Sequence, residues 1–305
     1  MNNTTIGIDV SKAKLDICFL SSGECIKINN DIQGFKLLLK HIKKNYIVKR
    51  IIIEHTGNYQ RDIVNYLQKY KFIVCVVNPS KVRAFAKASG VLAKTDKIDA
   101  YVLAKYGEMF TPEENKIQDE NIIKLRELTN FRRQIVEMCK VFKTRLEKKP
   151  SAFIAREINK LIKNLEKQEK EINKKIKEFI ANNSEMMKKS QILLTIDGFG
   201  EQTVNTLLSN LPELGQIEKN KLSALCGIAP INHDSGKLYG IRSIYGGRRV
   251  VRNMLYMAAV SASVHNKVIR DYYLRLKNKG KPSKVALVAC MRKLLIYANS
   301  LVKNM

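Results

Sequence analysis

Residues 4–19 read TTIGIDVSKAKLDICF. The apolar part is rich in β-branched residues and is interrupted by Ser11–Lys14, so it reads as strand, break, strand. Asp9 stands inside the first strand, between Ile8 and Val10. A carboxylate among such neighbours is costly to bury unless it is paired or binds a metal. Further along, Ile51-Ile52-Ile53 is a second short buried strand, and Glu54 closes it.

Working outward, Glu24–Asn29 reads as another strand after a Ser-Gly turn, and Phe35–Ile42 has helical spacing. Tyr59–Tyr70 reads as a helix and Phe72–Val77 as a buried strand that stops at Asn78-Pro79. Ser80 is expected to cap a basic helix, Lys81–Lys87. Strands alternating with helices predict a layered α/β domain.

A third acidic segment follows in Lys94-Thr95-Asp96-Lys97-Ile98-Asp99. Asp96 and Asp99 are three apart, so on a helix they share a face. Hard oxygen ligands from two strands and one helix suit Mg²⁺. Two such ions could hold the attacking and leaving oxygens of a phosphodiester. Any one of these acids alone also fits a helix cap or a salt bridge, and on the residues alone the two readings stand level. Asp16 and Glu24 close no apolar strand and are left outside the site.

Lysine and arginine total 55 against 28 acidic residues, a net charge of +27. Such a surface attracts polyanions, and nucleic acid is the expected partner. A membrane surface is the rival, but the basic residues are spread along the chain, and a lysine-rich composition from an AT-biased genome is the plain alternative. No apolar run approaches the ~18 residues of a membrane span. The N-terminus lacks the layout of a secretory signal, so a cytoplasmic, nucleoid-associated protein is expected. The six cysteines are scattered without zinc spacing and read as buried reduced thiols.

Between Asn121 and Asn182 there is no glycine, and Pro150 is the one proline. Leu128, Ile135 and Phe142 recur every seventh residue, beside Leu125, Cys139 and Leu146. Ile158, Leu165, Ile172 and Phe179 repeat the step, beside Ile162 and Ile176. Two helices joined near Pro150-Ser151 in an antiparallel coiled-coil hairpin are predicted. Arg132 and Glu169 interrupt the seam.

The last part is apolar and helical with glycine punctuation. Ile196-Asp197-Gly198-Phe199-Gly200 before a helix has the layout of a helix-hairpin-helix, whose backbone amides hold a DNA phosphate, or of a plain helix connection. Ser235 lies in Asp234-Ser235-Gly236, which alone is ordinary turn chemistry. A serine hydroxyl is a poor nucleophile without an activating base or metal. Arg242, Arg248 and Arg252 could clamp a phosphate, while Arg249 fits a solvated face. Lys81, Arg83, Lys87 and Lys94 read as backbone contacts to nucleic acid.

These motifs resemble the insertion sequence one-ten family of transposases, which includes the Piv-type DNA invertases. The resemblance rests on Gly7-Ile8-Asp9-Val10-Ser11-Lys12, on Glu54 with Thr56-Gly57, and on Ala93-Lys94-Thr95-Asp96-Lys97-Ile98-Asp99-Ala100. It continues through Gly227-Ile228-Ala229-Pro230, Asp234-Ser235-Gly236-Lys237, Gly246-Gly247-Arg248 and Leu255-Tyr256-Met257-Ala258-Ala259, nearly the whole chain in order. It implies an RNase-H-like, RuvC-like domain whose D-E-D-D set is Asp9, Glu54, Asp96 and Asp99, catalytic and metal-binding, and a nucleophilic Ser235. It also implies a structured noncoding RNA that pairs with donor and target DNA, and action as a homo-oligomer, from dimer to tetramer. Many relatives read N-R-D-S-G where this chain has Asn232-His233-Asp234-Ser235-Gly236, so a mostly neutral imidazole replaces a guanidinium there.

The expected organisation is a RuvC-like domain over 1–112, a helical hairpin over 113–185 and a mainly α transposase domain over 186–305. The leading expectation is a Mg²⁺-dependent recombinase forming a phosphoserine intermediate. A carboxylate-only nuclease or junction resolvase, and a non-catalytic nucleic-acid scaffold, are the alternatives.

Overall fold

A computed structural model describes residues 2–57, 59–91, 95–115, 119–231 and 243–305. The chain divides into two compact units, Met1–Ile117 and Gln118–Met305.

In the first unit the strands are β1 (Asn2–Val10), β2 (Lys14–Phe19), β3 (Cys25–Asn29), β4 (Tyr46–Glu54) and β5 (Val74–Val77). Helix α1 (Ile32–Asn45) precedes β4, and α2 (Arg61–Lys69), α3 (Pro79–Ala88) and α4 (Asp96–Phe110) come after it. The sheet order is β3-β2-β1-β4-β5. The first three strands form an antiparallel meander, and β1, β4 and β5 run parallel. The pleat decides which helix covers which face. Ile51 and Ile53 point into a core with Leu38 and Ile42 of α1 and Ile63 and Leu67 of α2. Ile52 points the other way, toward Val82 and Phe85 of α3 and Leu103 and Tyr106 of α4. The isoleucine run is therefore buried on both sides, as expected of a strand inside a layered α/β domain.

Two local expectations are corrected. The cap of α3 is Asn78, whose side chain accepts from the Ser80 amide, with Pro79 at the first helical position. Asparagine is a strong cap and proline suits the first turn, so the helix begins before Ser80. Cys18 and Cys25 are not separate thiols: the β2–β3 register sets them opposite each other, 4.2 Å apart at Cα, and they are joined as a disulfide. Cys75, Cys139, Cys226 and Cys290 are free and buried.

The second unit begins with two long helices, α5 (Glu120–Glu147) and α6 (Ala152–Ala181). Then come α7 (Ser184–Leu194), α8 (Glu201–Asn210), α9 (Lys219–Leu225), and the short strands β6 (Pro230–Ile231) and β7 (Ser243–Ile244). Helices α10 (Arg249–His265), α11 (Lys267–Asn278) and α12 (Ser283–Lys303) complete it. The seven-residue pattern places its residues between α5 and α6. Cys139, Ile158 and Ile162 form one small cluster with Phe142, Leu146 and Leu165. Leu125, Ile135, Ile172 and Ile176 instead join the core built by α8, α10 and α12. The two long helices are thus anchored in the body of their unit. Helix α12 is long and apolar enough to cross a membrane, but half of that stretch is buried in this unit. Leu294, Leu295 and Ala298 are part of the same core.

Candidate active site

Asp9 lies near the end of β1 and Glu54 ends β4. The parallel register pairs Ile8 with Ile53, so the two acids stand at neighbouring positions just beyond it. Asp16 faces Asp9 from β2. The third element is the first turn of α4, capped by Thr95, whose hydroxyl accepts from the Ile98 amide at 3.3 Å. Asp96 and Asp99 occupy that turn, where the positive end of the helix favours carboxylates.

Gly7 explains why α4 can lie so close to the strand that carries Asp9. A Cβ there would stand 2.0 Å from the Ala100 carbonyl oxygen and 2.5 Å from the Ala104 nitrogen. Gly107 repeats the device lower down, where a Cβ would meet Ile52. The glycine of Ile6-Gly7-Ile8 is thus a packing requirement that sets the height of the acidic helix turn over the sheet.

Asp9 is pushed up to about 6, first by burial and then by the charges of Asp99, Glu54 and Asp96. Its backbone bond to Val10 opposes the shift. Three of the sequence-predicted acids, Asp99, Glu54 and Asp96, thus act on the fourth through their charges. Among the described residues, no three His, Cys, Asp or Glu side chains stand in ligating geometry about a common point. Beside the acids, Lys27 of β3 reaches Asp16 at 3.1 Å and Asp96 at 3.3 Å with its ammonium. Lys27 is a neighbour of the site that the sequence reading misses, and Asp16, which that reading sets outside the site, stands directly opposite Asp9. The signal is there: a tight turn at Ser11–Ala13 folds Asp16 back opposite Asp9.

The basic helix α3 buries Val82 and Phe85 and leaves Lys81, Arg83 and Lys87 exposed, as a nucleic-acid face requires. Lys94 lies outside the described residues.

In the second unit, Ser235 and Arg242 lie outside the described residues, as do His233 and Asp234. The frame around them is described. Strands β6 and β7 pair antiparallel, Pro230 with Ile244 and Ile231 with Ser243, so the serine segment leaves and returns side by side. Below the pair, two glycine turns touch through their backbones. A Cβ on Gly227 would stand 2.1 Å from the Gly246 carbonyl oxygen, and one on Gly247 would stand 2.2 Å from the Gly227 nitrogen. Arg252 donates to the carbonyls of Gly246 and Gly227. Arg248 makes a two-pronged pair with Glu213, both contacts at 2.6 Å, and donates to the Asn210 carbonyl at 2.9 Å. Burial pushes Glu213 up, but the Arg248 bonds outweigh it and hold the carboxyl below the usual glutamate range. As placed, Arg248 and Arg252 brace the base of the serine segment, whereas Arg249 is exposed.

Of the two glycines before α8, Gly198 is explained by packing, whereas a Cβ on Gly200 would meet nothing. Gly198 adopts φ +102, and a Cβ there would strike Ala262 of α10 at 2.6 Å. Gly200 is exposed at the start of α8, where Glu201 already pairs with Lys177 at 2.8 Å.

Comparison with known proteins covers both units. A family model described as Transposase, of the DEDD kind found in IS110 elements, matches residues 6–149. A second, described as Transposase IS116/IS110/IS902 family, matches residues 190–274. A pilin gene-inverting protein of Moraxella bovis is 30% identical over 314 residues, covering 100% of this chain and 97% of its own. The pilin gene-inverting protein of Moraxella lacunata matches with the same identity and coverage.

Proposed function

The chain belongs to the IS110 family of transposases, DNA-recombining enzymes, and on that premise we propose that it cuts and rejoins DNA through the hydroxyl of Ser235 with the help of Asp9, Glu54, Asp96 and Asp99. The observation that carries the reading is geometric: Asp9 and Glu54 stand at neighbouring positions of paired strands, and Gly7 lets the helix turn that carries Asp96 and Asp99 lie close against β1. The sheet order, an antiparallel meander continued by two parallel strands, supports an RNase-H-like, RuvC-like domain beneath them.

The charges of Asp99, Glu54 and Asp96 oppose ionisation of Asp9, and a hard divalent cation relieves that repulsion. The donor set therefore fits Mg²⁺ held by Asp9, Glu54, Asp96 and Asp99. When bound, the ion supplies positive charge that polarises the phosphodiester and favours the deprotonated form of an attacking hydroxyl. The carboxylates fix where that charge sits. Ser235 Oγ then forms a bond to phosphorus as the bond to one deoxyribose oxygen breaks, and that oxygen leaves as a hydroxyl. Attack by a deoxyribose hydroxyl on the phosphoserine reverses the step, so religation needs no nucleotide cofactor. Lys81, Arg83 and Lys87, and Lys94 and Arg242 as the sequence reads them, bind the DNA backbone, and the amides of Gly198 and Gly200 are a further contact to phosphate.

Guidance by a structured noncoding RNA, action as a homo-oligomer and a place on the nucleoid in the cytoplasm follow from the family resemblance and complete the proposal. The names of the Moraxella relatives support inversion as one outcome of the strand exchange. A second reading, a carboxylate-only nuclease or resolvase, is favoured by one observation: all four acids lie in the first unit, apart in sequence from Ser235.

A denaturing gel separates the two. The protein is incubated with Mg²⁺, RNA from the flanks of its own element and DNA spanning the element junction, beside Ser235→Ala. A protein–DNA adduct that needs both Mg²⁺ and Ser235 is the expected result. Cleavage without an adduct, equal in the variant, would establish the nuclease instead.

A further inference from the structure

The second unit holds a groove to which neither the acids nor the serine has been assigned, lined in part by Ile228, Pro230 and Tyr256 of the family motifs. It runs between α11 and α12, with α10 behind it and the β6–β7 pair at one end. Its volume is about 1420 Å³, beyond the roughly 300–1,000 Å³ of ordinary small-molecule pockets, so it suits an extended ligand. Six of the lining residues are lysine or arginine, and none of the described ones is acidic. Its floor is apolar, formed by Val285, Val288 and Ile296, and two aromatic rings, Tyr256 and Tyr272, face it.

The cations and the rings are already associated. The Arg275 guanidinium carbon lies 5.1 Å from the centre of the Tyr272 ring, and Lys293 Nζ lies 4.8 Å from it. Arg292 donates to Asn220 at 3.0 Å, while its buried Nε finds no acceptor among the described residues. The other large cavity of this unit, about 470 Å³, is different in kind: Glu137 lines it, and its Arg132 is tied to Glu169.

Charge and shape narrow the occupant. A second copy of this chain would bring like charge to a basic face, since basic residues outnumber acidic ones 55 to 28. An acyl chain or an apolar helix would leave the ring of cations unanswered. A DNA duplex would answer the cations but keeps its bases inside the helix, away from the floor and the tyrosines. An unpaired strand answers both: phosphates meet the cations, and bases stack on aromatic rings. Arg275 and Lys293 would exchange weak contacts with the Tyr272 ring for charge-assisted bonds to phosphate, uncovering the ring face for a base.

We propose that this groove takes a short unpaired stretch of the DNA strand beside the serine segment, bases against Tyr272 and Tyr256 and phosphates on Arg275, Lys284, Arg292 and Lys293. The inference rests on the DNA-recombining reading and deepens it. It implies that the strand is locally unstacked where it passes the β6–β7 pair.

The test is binding by the full chain in EDTA, so that no strand is cut. Fluorescence anisotropy tracks a short labelled oligothymidylate, a duplex of equal charge and an oligouridylate, and a 2-aminopurine oligonucleotide reports stacking directly. Tyr272→Ala is expected to weaken the single DNA strand on the order of tenfold and to abolish 2-aminopurine quenching, with duplex affinity nearly unchanged. Tyr272→Phe should retain both. Tyr272 is partly buried, so the double charge reversal Lys284→Glu/Lys293→Glu on exposed side chains is the second variant and should weaken the same strand with an unaltered melting curve. Equal losses for strand and duplex would leave only a phosphate-binding surface and overturn the proposal. Unchanged affinity in both variants, or tighter binding of oligouridylate that displaces the DNA, would overturn it as well. Stacking without any Ser235 adduct in the recombination assay would keep the groove and remove its premise.

Discussion

Arg132 on α5 and Glu169 on α6, the two residues that break the apolar seam between those helices, are each other's partners at 2.6 Å. The same guanidinium donates through Nε to Asn173 at 2.7 Å, and Asn173 also accepts from Gln202 of α8 at 3.2 Å. Each polar residue looks like a defect when one helix is read alone. Together they form a half-buried network that links three helices.

Arg132→Ala should therefore cost about 1–3 kcal/mol, because Glu169 is left half-buried without its main donor. The double replacement Arg132→Met/Glu169→Met should recover most of the loss, since a well-packed apolar pair often equals an ion pair in stability. Urea unfolding of the two variants checks this. A double variant no more stable than the single one would mean that the pair is needed for more than its mutual charge.

At Gly7, substitution by alanine should abolish recombination while DNA affinity survives. A methyl group has no room against the Ala100 carbonyl, so α4 must move and carry Asp96 and Asp99 off Asp9. The expected destabilisation is about 1–3 kcal/mol or more. Full activity in Gly7→Ala would show that the height of α4 over the sheet does not matter.

Asp9→Asn should inactivate the enzyme and yet stabilise the metal-free fold. The carboxyl of Asp9 is pushed up to about 6 in the folded chain, against about 4 for an ordinary aspartate. Below pH ~4 it is protonated in both states and has no effect. As pH rises from there to 6 the unfolded chain ionises first, so a penalty grows and is complete above pH 6. Its ceiling is roughly 3 kcal/mol, lowered by solvent screening of a partly buried group. Thermal melts in EDTA should show Asp9→Asn more stable than the parent at pH 7.5 and equal to it near pH 4. A gain that persists unchanged at pH 4 would point to packing instead.

Glu213→Gln should lower stability by about 1–3 kcal/mol at neutral pH, since it removes the charge that holds Arg248. The sign with pH is opposite to that of Asp9. The folded carboxyl lies below its ordinary value, so its contribution is present above about pH 4.3 and is lost as pH falls through the lower folded value. Parent and variant melts should converge in acid. Strand exchange should drop in the variant as the base of the serine segment loosens, and wild-type exchange in a destabilised Glu213→Gln would separate that brace from the chemistry.

Duplex binding should weaken steeply with salt, log K falling by about 0.9 per phosphate neutralised. A titration across sodium chloride concentrations gives the number of phosphates engaged. Removing Lys81, Arg83 and Lys87 together should flatten that slope.

What could be read in the sequence was what repeats locally. The isoleucine runs ending in Asp9 and Glu54 announced paired strands, and the seven-residue steps of α5 and α6 announced their packing. What escaped were pairings between distant positions or across a register. Glu213 and Arg248 are far apart in sequence and meet because α8 and α10 share a core. Cys18 and Cys25 meet because of the offset between β2 and β3, which no spacing rule announces. Lys27 reaches Asp96 because β3 lies at the edge of the meander on the side where α4 begins. The cap of α3 is Asn78 and not Ser80 because Pro79 suits the first helical position, so the helix starts two residues earlier than expected.

The backbone contact between Gly227 and the Gly246-Gly247 turn, with the β6–β7 pair above it, holds together two chain segments separated in sequence. Closing a longer excursion costs only about 0.6 kcal/mol for each doubling in length. Inserting residues between β6 and β7 should therefore cost little in loop-closure entropy, and urea unfolding of an insertion variant checks this.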